Sequence, residues 1–395
     1  MARHFRIGFL AGVSITLAGG CDRSLSALRH LTGHNEPTLD PFSVFADRAE
    51  PDHPHLVGLH TGVCWESAPS QWKCRERPGG HIGLPKEIAA TQIAGCLNTN
   101  ICIQSLNGDW RCRCIARPNL FGADSNSAVK QPDTRYETSL PGFSETKLLS
   151  AEQWHVCGVR KDQVACAGSN VQGELGAQTQ LAYVDGDQRL AWSPDPLYVP
   201  DSSSARDVIV DAEGGCAIVG DQREVVCWGR EFDDPAATDL NLACADSIRN
   251  SQDRRMYCAP RAAIRVAGMT NIRHLASGNT GLIVASTMSG KVYYWFGRGA
   301  RHPPVELTEL ANSTVVAVEH IFTICAAQAN GVTCLRGNID PNATIAETNV
   351  RSAVEHYPAL SDAQELVVAT DQPCIRKFDG SFWCQAGLKA SPERL

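Results

Sequence analysis

The sequence predicts an all-β fold, a seven-bladed β-propeller with degenerate repeats of about 50 residues. Three observations predict it: a hairpin pattern recurs seven times, paired cysteines mark six of the copies, and turn-forming dipeptides join several of the paired strands. Equivalent positions between Cys64 and Cys374 recur about every 52 residues, the size of a four-stranded blade with its connections. One such unit cannot bury both faces of its sheet alone, so the units must pack around a common axis.

The recurring unit is a pair of short apolar strands around a polar turn, clearest in the copy from His155 to Gly176. Six copies carry one cysteine on each strand, whereas a seventh has Ile283 and Tyr294 in these two places. A cross-strand disulfide predicts this joint loss, because losing one partner alone would leave an unpaired thiol. The predicted bridges join Cys64 with Cys74, Cys102 with Cys112 or alternatively Cys114, Cys157 with Cys166, Cys216 with Cys227, Cys325 with Cys334, and Cys374 with Cys384.

The turns and the segments before the hairpins supply the rest of each blade. Asn107-Gly108, Asn330-Gly331 and Asp379-Gly380 accept the positive φ angles that tight β-turns require. A further short apolar strand precedes most copies, so each unit supplies at least three strands. These strands are Asp207–Asp211, Ile272–Ala276, Val315–Val318 and Glu365–Ala369.

The N-terminal residues have the pattern of an export signal. Arg3 and Arg6 precede an apolar run that is too short to span a bilayer. Small residues then precede Cys21, as in the lipobox of bacterial lipoproteins, which predicts that Cys21 carries lipid; a plain secreted protein is the alternative. The predicted organisation is a signal peptide at 1–20, a lipidated N-terminus and flexible tether at 21–56, and the propeller at 57–395.

The cysteine count also indicates an oxidising compartment. The chain has 17 cysteines, and setting Cys21 aside leaves 16 that can pair completely. Outside the six hairpins, Cys96 can pair with Cys114, and Cys244 can pair with Cys258. The cysteines from Cys96 to Cys114 also look like a small epidermal-growth-factor module, but a third bridge is missing, so a blade is favoured.

The sequence contains no motif that carries chemistry. It has no nucleophile elbow, no metalloprotease helix and no phosphate-binding loop, so we predict no catalytic residue, metal or cofactor. The net charge of −7, without a dense cluster of Lys and Arg, excludes nucleic acid as a partner. The alternative from another class is a carbohydrate-acting hydrolase, which an axial pocket with converging carboxylates and arginines would favour.

The repeats resemble those of the regulator-of-chromosome-condensation propeller family, and their cysteine-rich form resembles its exported bacterial lipoprotein branch. The resemblance implies a rigid disc that presents loops for protein contact. The family includes a eukaryotic nucleotide exchange factor that acts on a small GTPase and a bacterial propeller that inhibits β-lactamase. An exchange-factor-like or inhibitor activity is therefore a further alternative, although no residue here matches the catalytic wedge of the exchange factor. The residues that carry the resemblance are His155, Cys157, Val164, Cys166, Gly168, Asn170, Gly173, Leu175 and Gly176, then Cys227, Trp228 and Gly229, and earlier Asn119, Phe121 and Gly122.

We therefore expect a protein partner in the cell envelope or outside the cell. It should bind the face formed by the connections that leave the second strand of each hairpin, because rigid scaffolds place recognition on such loops. The longest of these connections runs from Arg230 to Ala263, and a bridge from Cys244 to Cys258 would preorder it. The candidate binding residues within it are Arg249, Arg254, Arg255, Met256 and Tyr257.

Overall fold

Among the residues that it describes, the computed structural model has 29 strands, all within the compact unit Phe45–Leu395. The residues that the structure describes are 54–59, 62–76, 86–96, 100–112, 138–152, 154–170, 173–177, 181–185, 188–212, 214–229, 263–278, 281–299, 303–319, 323–338, 349–369 and 371–395. Within these ranges there is no α-helix, and therefore no helix long and apolar enough to cross a membrane.

The strands form seven antiparallel blades, as the sequence predicts, and the first three blades comprise 13 strands. Blade 1 contains β1 (Leu56–Leu59), β2 (Gly62–Ala68), β3 (Gln71–Glu76) and β4 (Glu87–Ala89). Blade 2 contains β5 (Gln92–Cys96), β6 (Asn100–Gln104), β7 (Trp110–Cys112) and β8 (Thr138–Ser139). Blade 3 contains β9 (Thr146–Ala151), β10 (His155–Arg160), β11 (Gln163–Ser169), β12 (Leu181–Asp185) and β13 (Gln188–Tyr198).

The remaining four blades each have four strands. Blade 4 contains β14 (Asp207–Asp211), β15 (Gly214–Val219), β16 (Glu224–Gly229) and β17 (Ile264–Arg265). Blade 5 contains β18 (Ile272–Ser277), β19 (Leu282–Thr287), β20 (Val292–Phe296) and β21 (Val305–Glu306). Blade 6 contains β22 (Ser313–Glu319), β23 (Thr323–Gln328), β24 (Gly331–Asn338) and β25 (Asn349–Tyr357). Blade 7 contains β26 (Ala363–Ala369), β27 (Gln372–Lys377), β28 (Phe382–Cys384) and β29 (Glu393–Arg394).

In each blade the first strand in sequence is the innermost, nearest the propeller axis, and the later strands follow outwards in sequence order. The exception is blade 3, where β12 lies outside β13. The seven innermost strands are β1, β5, β9, β14, β18, β22 and β26. Each contacts the innermost strand of the next blade, and β26 returns to contact β1, which closes the ring. Blades 2 and 3 are also joined by one parallel pair, Cys96 with Ala151. Because blade 1 begins with its own innermost strand, the ring closes without an exchange of strands between the two ends of the chain.

The hydrophobic core is divided among the seven seams between neighbouring blades. Each seam holds one cluster of buried side chains, contributed by the two blades that meet there. A blade therefore buries both faces of its sheet, which is why β15 and β16 are apolar without alternation and almost wholly buried.

Six disulfides cross the hairpins between the second and third strand of their blades. The paired cysteines lie directly opposite each other, with Cα atoms 4.0–4.1 Å apart. These are the six hairpin bridges that the sequence predicts, and Cys112 rather than Cys114 is the partner of Cys102. The side chain of Cys96, together with Cys114, Cys244 and Cys258, lies outside the described residues, so the other two bridges stay predictions.

In blade 5 the sequence places Ile283 and Tyr294 at the two cysteine positions, and the structure corrects the first of them by one residue. The register places Val284 opposite Tyr294, and Ile283 opposite Trp295. Val284 and Tyr294 belong to the cluster between blades 5 and 6, whereas Ile283 belongs to the cluster between blades 4 and 5. In the other blades, the disulfide lies on the face that packs against the next blade, as that of Cys216 in blade 4 does. A shift of one residue turns a side chain to the opposite face of a sheet, so Val284 is the true counterpart of the first cysteine.

The predicted turns lie between the second and third strands, and their glycines have positive φ. Gly331, at φ 137°, shows why this residue is needed. A Cβ atom there would lie 2.4 Å from the carbonyl oxygen of Tyr357, too close for any side chain. The turn thus brings the hairpin of blade 6 directly against the end of its outer strand.

Candidate functional site

The two faces of the propeller carry different connections. On one, here called the turn face, lie the turns between second and third strands and the segments that lead into the next innermost strand. On the other, the exit face, lie the connections between first and second strands and between third and fourth strands. On the turn face these segments bond across blades; for example, the Ala205 N–H donates to Asp162 O at 3.0 Å and the Asn271 N–H donates to Gln222 O at 2.8 Å.

The expected partner-binding residues lie in sequence between β16 and β17, which end and begin on the exit face. Arg249, Arg254, Arg255, Met256 and Tyr257 all lie outside the described residues, as does Cys21. Their roles stay predictions.

Four of the residues that carry the family resemblance, Asn170, Leu175, Gly176 and Trp228, lie at the seam between blades 3 and 4, whereas Asn119, Phe121 and Gly122 lie outside the described residues. The indole N–H of Trp228 in blade 4 donates to the carbonyl oxygen of Glu174 at 2.8 Å. Leu175 is fully buried in the same cluster as Trp228, and Asn170 shapes the loop by accepting from the Leu175 N–H at 3.0 Å. A Cβ atom on Gly176, which has φ 61°, would lie 2.8 Å from the Trp228 ring. In this chain the signature is therefore a device for joining blades.

His155 contributes to the same seam. Its side chain is fully buried, and Nε2 lies 3.2 Å from Gly214 O in blade 4, so the neutral ring donates from that atom. Among the described residues, its Nδ1 atom has no hydrogen-bond partner. Burial lowers the pKa of His155 to about 4, against the smaller opposing effect of the bond to Gly214. The residue has the surroundings of a packed, neutral side chain.

The seam between blades 7 and 1 is held by a carboxylate. Glu365 in β26 accepts from the backbone N–H groups of His55 and Leu56 at 2.8 and 2.9 Å. It also accepts from His55 Nδ1 at 2.9 Å and lies 3.3 Å from Arg376 Nη1. We call this arrangement the Glu365 clamp. It ties the first strand of the propeller to the last blade, across 310 residues of sequence.

A cavity of about 450 Å³ lies inside the ring of innermost strands. Residues from all seven innermost strands line it, from their starts on the turn face to near their ends. The lining includes half-buried apolar side chains, such as those of Leu148, Ile209 and Val318. The sequence did not indicate this cavity, because its lining comes one or two residues at a time from seven distant repeats.

The charged residues of the cavity are concentrated where the innermost strands begin. Arg206, Arg223 and Arg273, from blades 4 and 5, line the cavity together with Asp207 and Glu365. The side chain of Arg223 donates to the carbonyl oxygens of Ile272 and Arg273, the latter at 2.9 Å. The mouth on the turn face therefore holds three guanidinium groups and two carboxylates.

The combination of arginines and carboxylates is what the hydrolase alternative requires, but Glu365 is already used by the clamp. This carboxylate already makes four contacts that join blades 7 and 1. Within the part of the chain that the structure describes, no group of three or more His, Cys, Asp or Glu side chains could hold a metal ion.

No protein-family model and no curated protein sequence matches the chain. Among solved structures, human WBSCR16 aligns with a TM-score of 0.49 and 13% identity, over 77% of this chain and 81% of that protein. Prp20p from Saccharomyces cerevisiae aligns with a TM-score of 0.48 and 11% identity, over 82% and 80% of the two chains. The CRINKLY ectodomain of the Arabidopsis thaliana receptor kinase ACR4 aligns with a TM-score of 0.43 and 14% identity, over 86% and 97%. At these values the seven-bladed architecture rests on the chain's own strand register.

Proposed function

We propose that this chain is an exported binding protein of the cell envelope, anchored through lipid on Cys21, whose propeller presents its exit face to a protein partner. The observation that carries the proposal is the closed ring of seven innermost strands, braced by six cross-strand disulfides. Such a ring holds its loops in fixed relative positions, so that little order has to be gained on binding. We propose that it acts without catalysis.

The exported location is supported by the disulfides themselves. Bridges of this kind persist in oxidising compartments and are rare where thiols are kept reduced. A tether at 21–56 would hold the disc clear of the membrane that Cys21 anchors.

The anchor is tested by fractionating cells that express the full chain or its Cys21→Ser variant. The unchanged chain should be found with the membrane and carry lipid on Cys21 by mass spectrometry, whereas the variant should be released. A variant that stays with the membrane to the same extent would contradict the anchor and indicate another attachment, and an unchanged chain that is itself released would indicate a plain secreted protein.

The partner face is tested by changing Arg254, Arg255 and Tyr257 together to Ala. A few Arg and Tyr side chains usually dominate an interface, so we expect this variant to bind its partner at least about tenfold more weakly with unchanged melting. The partner is taken from crosslinking of the purified full chain to envelope proteins, and affinity is then measured with the purified pair.

The matched control removes two cations and one large side chain from the turn face: Lys147, Lys161 and Leu106 changed together to Ala. All three are exposed, Leu106 by 66%. Affinity lost in the control but kept in the exit-face variant would move the binding site to the turn face.

A further inference from the structure

The axial cavity has a feature that the proposed function does not use: a cationic mouth on a slim, largely apolar channel. The chain as a whole has a net charge of −7, yet three guanidinium groups against two carboxylates line the cavity. Arg376 lies 3.3 Å from the Glu365 carboxylate, and Asp221 lies 3.6 Å from the Arg206 guanidinium, so with these neighbours four guanidinium groups face three carboxylates. The local balance is therefore opposite in sign to that of the whole chain, and it favours an anion at the mouth.

The mouth is shaped by β-bulges. In blades 5, 6 and 7 the register between the first and second strands shifts at the start of the innermost strand. The residues skipped by the shifts are Arg273, Thr314 and Gln364, and all three line the cavity. A bulge re-aims a side chain and is common beside functional sites. Three blades thus direct one guanidinium, one hydroxyl and one amide, all hydrogen-bond donors, to the same end of the channel.

The shape of the cavity limits what can follow the anion inside. An innermost strand of six residues is about 20 Å long. A volume of about 450 Å³ distributed along most of such strands is an elongated channel, with Phe378 of blade 7 at the mouth and the half-buried Leu148, Ile209 and Val318 further in. It suits an unbranched apolar chain better than a sugar, whose hydroxyl groups would lose water against apolar walls.

We propose that the axial cavity binds a small amphiphilic carboxylate, with its charged group at Arg206, Arg223 and Arg273 and its unbranched apolar body in the channel. A guanidinium fork matches a carboxylate with two parallel hydrogen bonds, and Arg206 and Arg273 would supply these, whereas Arg223 already donates to the carbonyl oxygens of Ile272 and Arg273 and contributes its charge. The proposal does not rest on the exit-face function, because it concerns other residues and another ligand.

Calorimetric titration of the purified full chain with octanoate tests the charged part. We expect saturable binding that weakens as salt rises, and no comparable binding of octanol or octylamine at the same concentration. Equal binding of octanol and octanoate, or no saturable binding of octanoate, would overturn the proposal.

A series of butanoate, hexanoate and octanoate tests the apolar part without any substitution. If the body enters the channel, affinity should rise roughly two- to fourfold for each methylene group. An affinity that does not change with chain length would place the anion at the mouth alone and would contradict the assignment of the channel.

Substitutions then locate the anion. Arg206→Gln and Arg273→Gln should each weaken octanoate binding by about tenfold, because each removes a charged donor. Arg206 has a side chain 49% exposed and lies 3.6 Å from the exposed Asp221, so its loss should leave the fold intact even if Arg273→Gln is less stable.

The matched control is Arg265→Gln, which removes an exposed arginine paired with Glu224 on the outer strand of blade 4. It should bind octanoate as the unchanged chain does. If Arg206→Gln and Arg265→Gln bind octanoate equally well, the site is not at the mouth of the cavity.

Discussion

The seam between blades 3 and 4 and the seam between blades 7 and 1 do the same task with different chemistry. The first joins consecutive repeats and uses Trp228, buried His155 and apolar packing. The second joins the two ends of the propeller and uses the Glu365 clamp. Apolar packing tolerates small errors of position, whereas a carboxylate that accepts from two backbone N–H groups fixes one position for β1. Consecutive blades are held next to each other by the chain that links them, whereas blades 7 and 1 have no such link. The difference indicates that a polar contact specifies how these two blades meet.

The largest expected effect comes from breaking the clamp. Glu365→Ala leaves two N–H groups of residues 55 and 56 without their acceptor and should lower the free energy of unfolding by about 3–5 kcal/mol. Urea unfolding followed by tryptophan fluorescence measures it. The control Glu309→Ala removes a partly exposed carboxylate, which accepts from the Thr308 hydroxyl in the short 3-10 helix before β22, and should change the free energy of unfolding far less. A loss below 1 kcal/mol for Glu365→Ala would show that apolar packing alone closes the ring.

Acid should act on the other seam through His155. Its pKa is about 4 in the folded chain and about 6.5 when unfolded, so the unfolded state binds the proton first as pH falls. The stabilisation is present above pH 6.5 and lost as pH falls towards 4, and the shift corresponds to about 3 kcal/mol.

The measurement is the difference in unfolding free energy between the unchanged chain and His155→Leu, from pH 7 to pH 4.5. The variant loses the bond to Gly214 and should be less stable at pH 7, but the difference should shrink on acidification. Other titrating groups act on both proteins alike. Parallel pH curves would mean that His155 does not become charged on unfolding in this range.

A smaller effect is expected from the indole at the same seam. Trp228→Phe removes the donor to Glu174 O and some buried volume, and it should cost about 1–2 kcal/mol. Trp383→Phe is the comparison, since its indole N–H donates to Ser381 Oγ within blade 7 at a partly exposed position. If both substitutions lower the stability to thermal unfolding by the same amount, the hydrogen bond from Trp228 to Glu174 O adds no more stability than a bond within one blade.

The smallest effect should come from the outer ion pair of the closing seam. Arg75 Nη1 lies 2.7 Å from Glu393 Oε1, but the two side chains are 37% and 68% exposed. Glu393→Ala should therefore cost less than about 1 kcal/mol, and the cost should fall further in salt. A loss of stability as large as that of Glu365→Ala would show that the exposed ion pair contributes as much to ring closure as the Glu365 clamp does.

The hairpins, their turns and their disulfides could be predicted because each is a local relation. Two cysteines 9–11 residues apart on antiparallel strands fall opposite each other once the turn is known. The replacement pair in blade 5 shows the limit of this reasoning. Without cysteines to mark the register, Ile283 and Val284 are equally apolar, and only packing against blades 4 and 6 separates them.

The sequence by itself determined the repeat, the number of blades and the six hairpin bridges, because period, turn residues and paired cysteines all act within one blade. Only the tertiary structure decided which blade each disulfide faces, how Glu365 reaches residues 55 and 56, and which side chains meet at the axis. Those relations join residues up to 310 positions apart, and no pattern within a repeat encodes them. They depend on seven sheets closing into one ring, where a single register or bulge decides which way a side chain points.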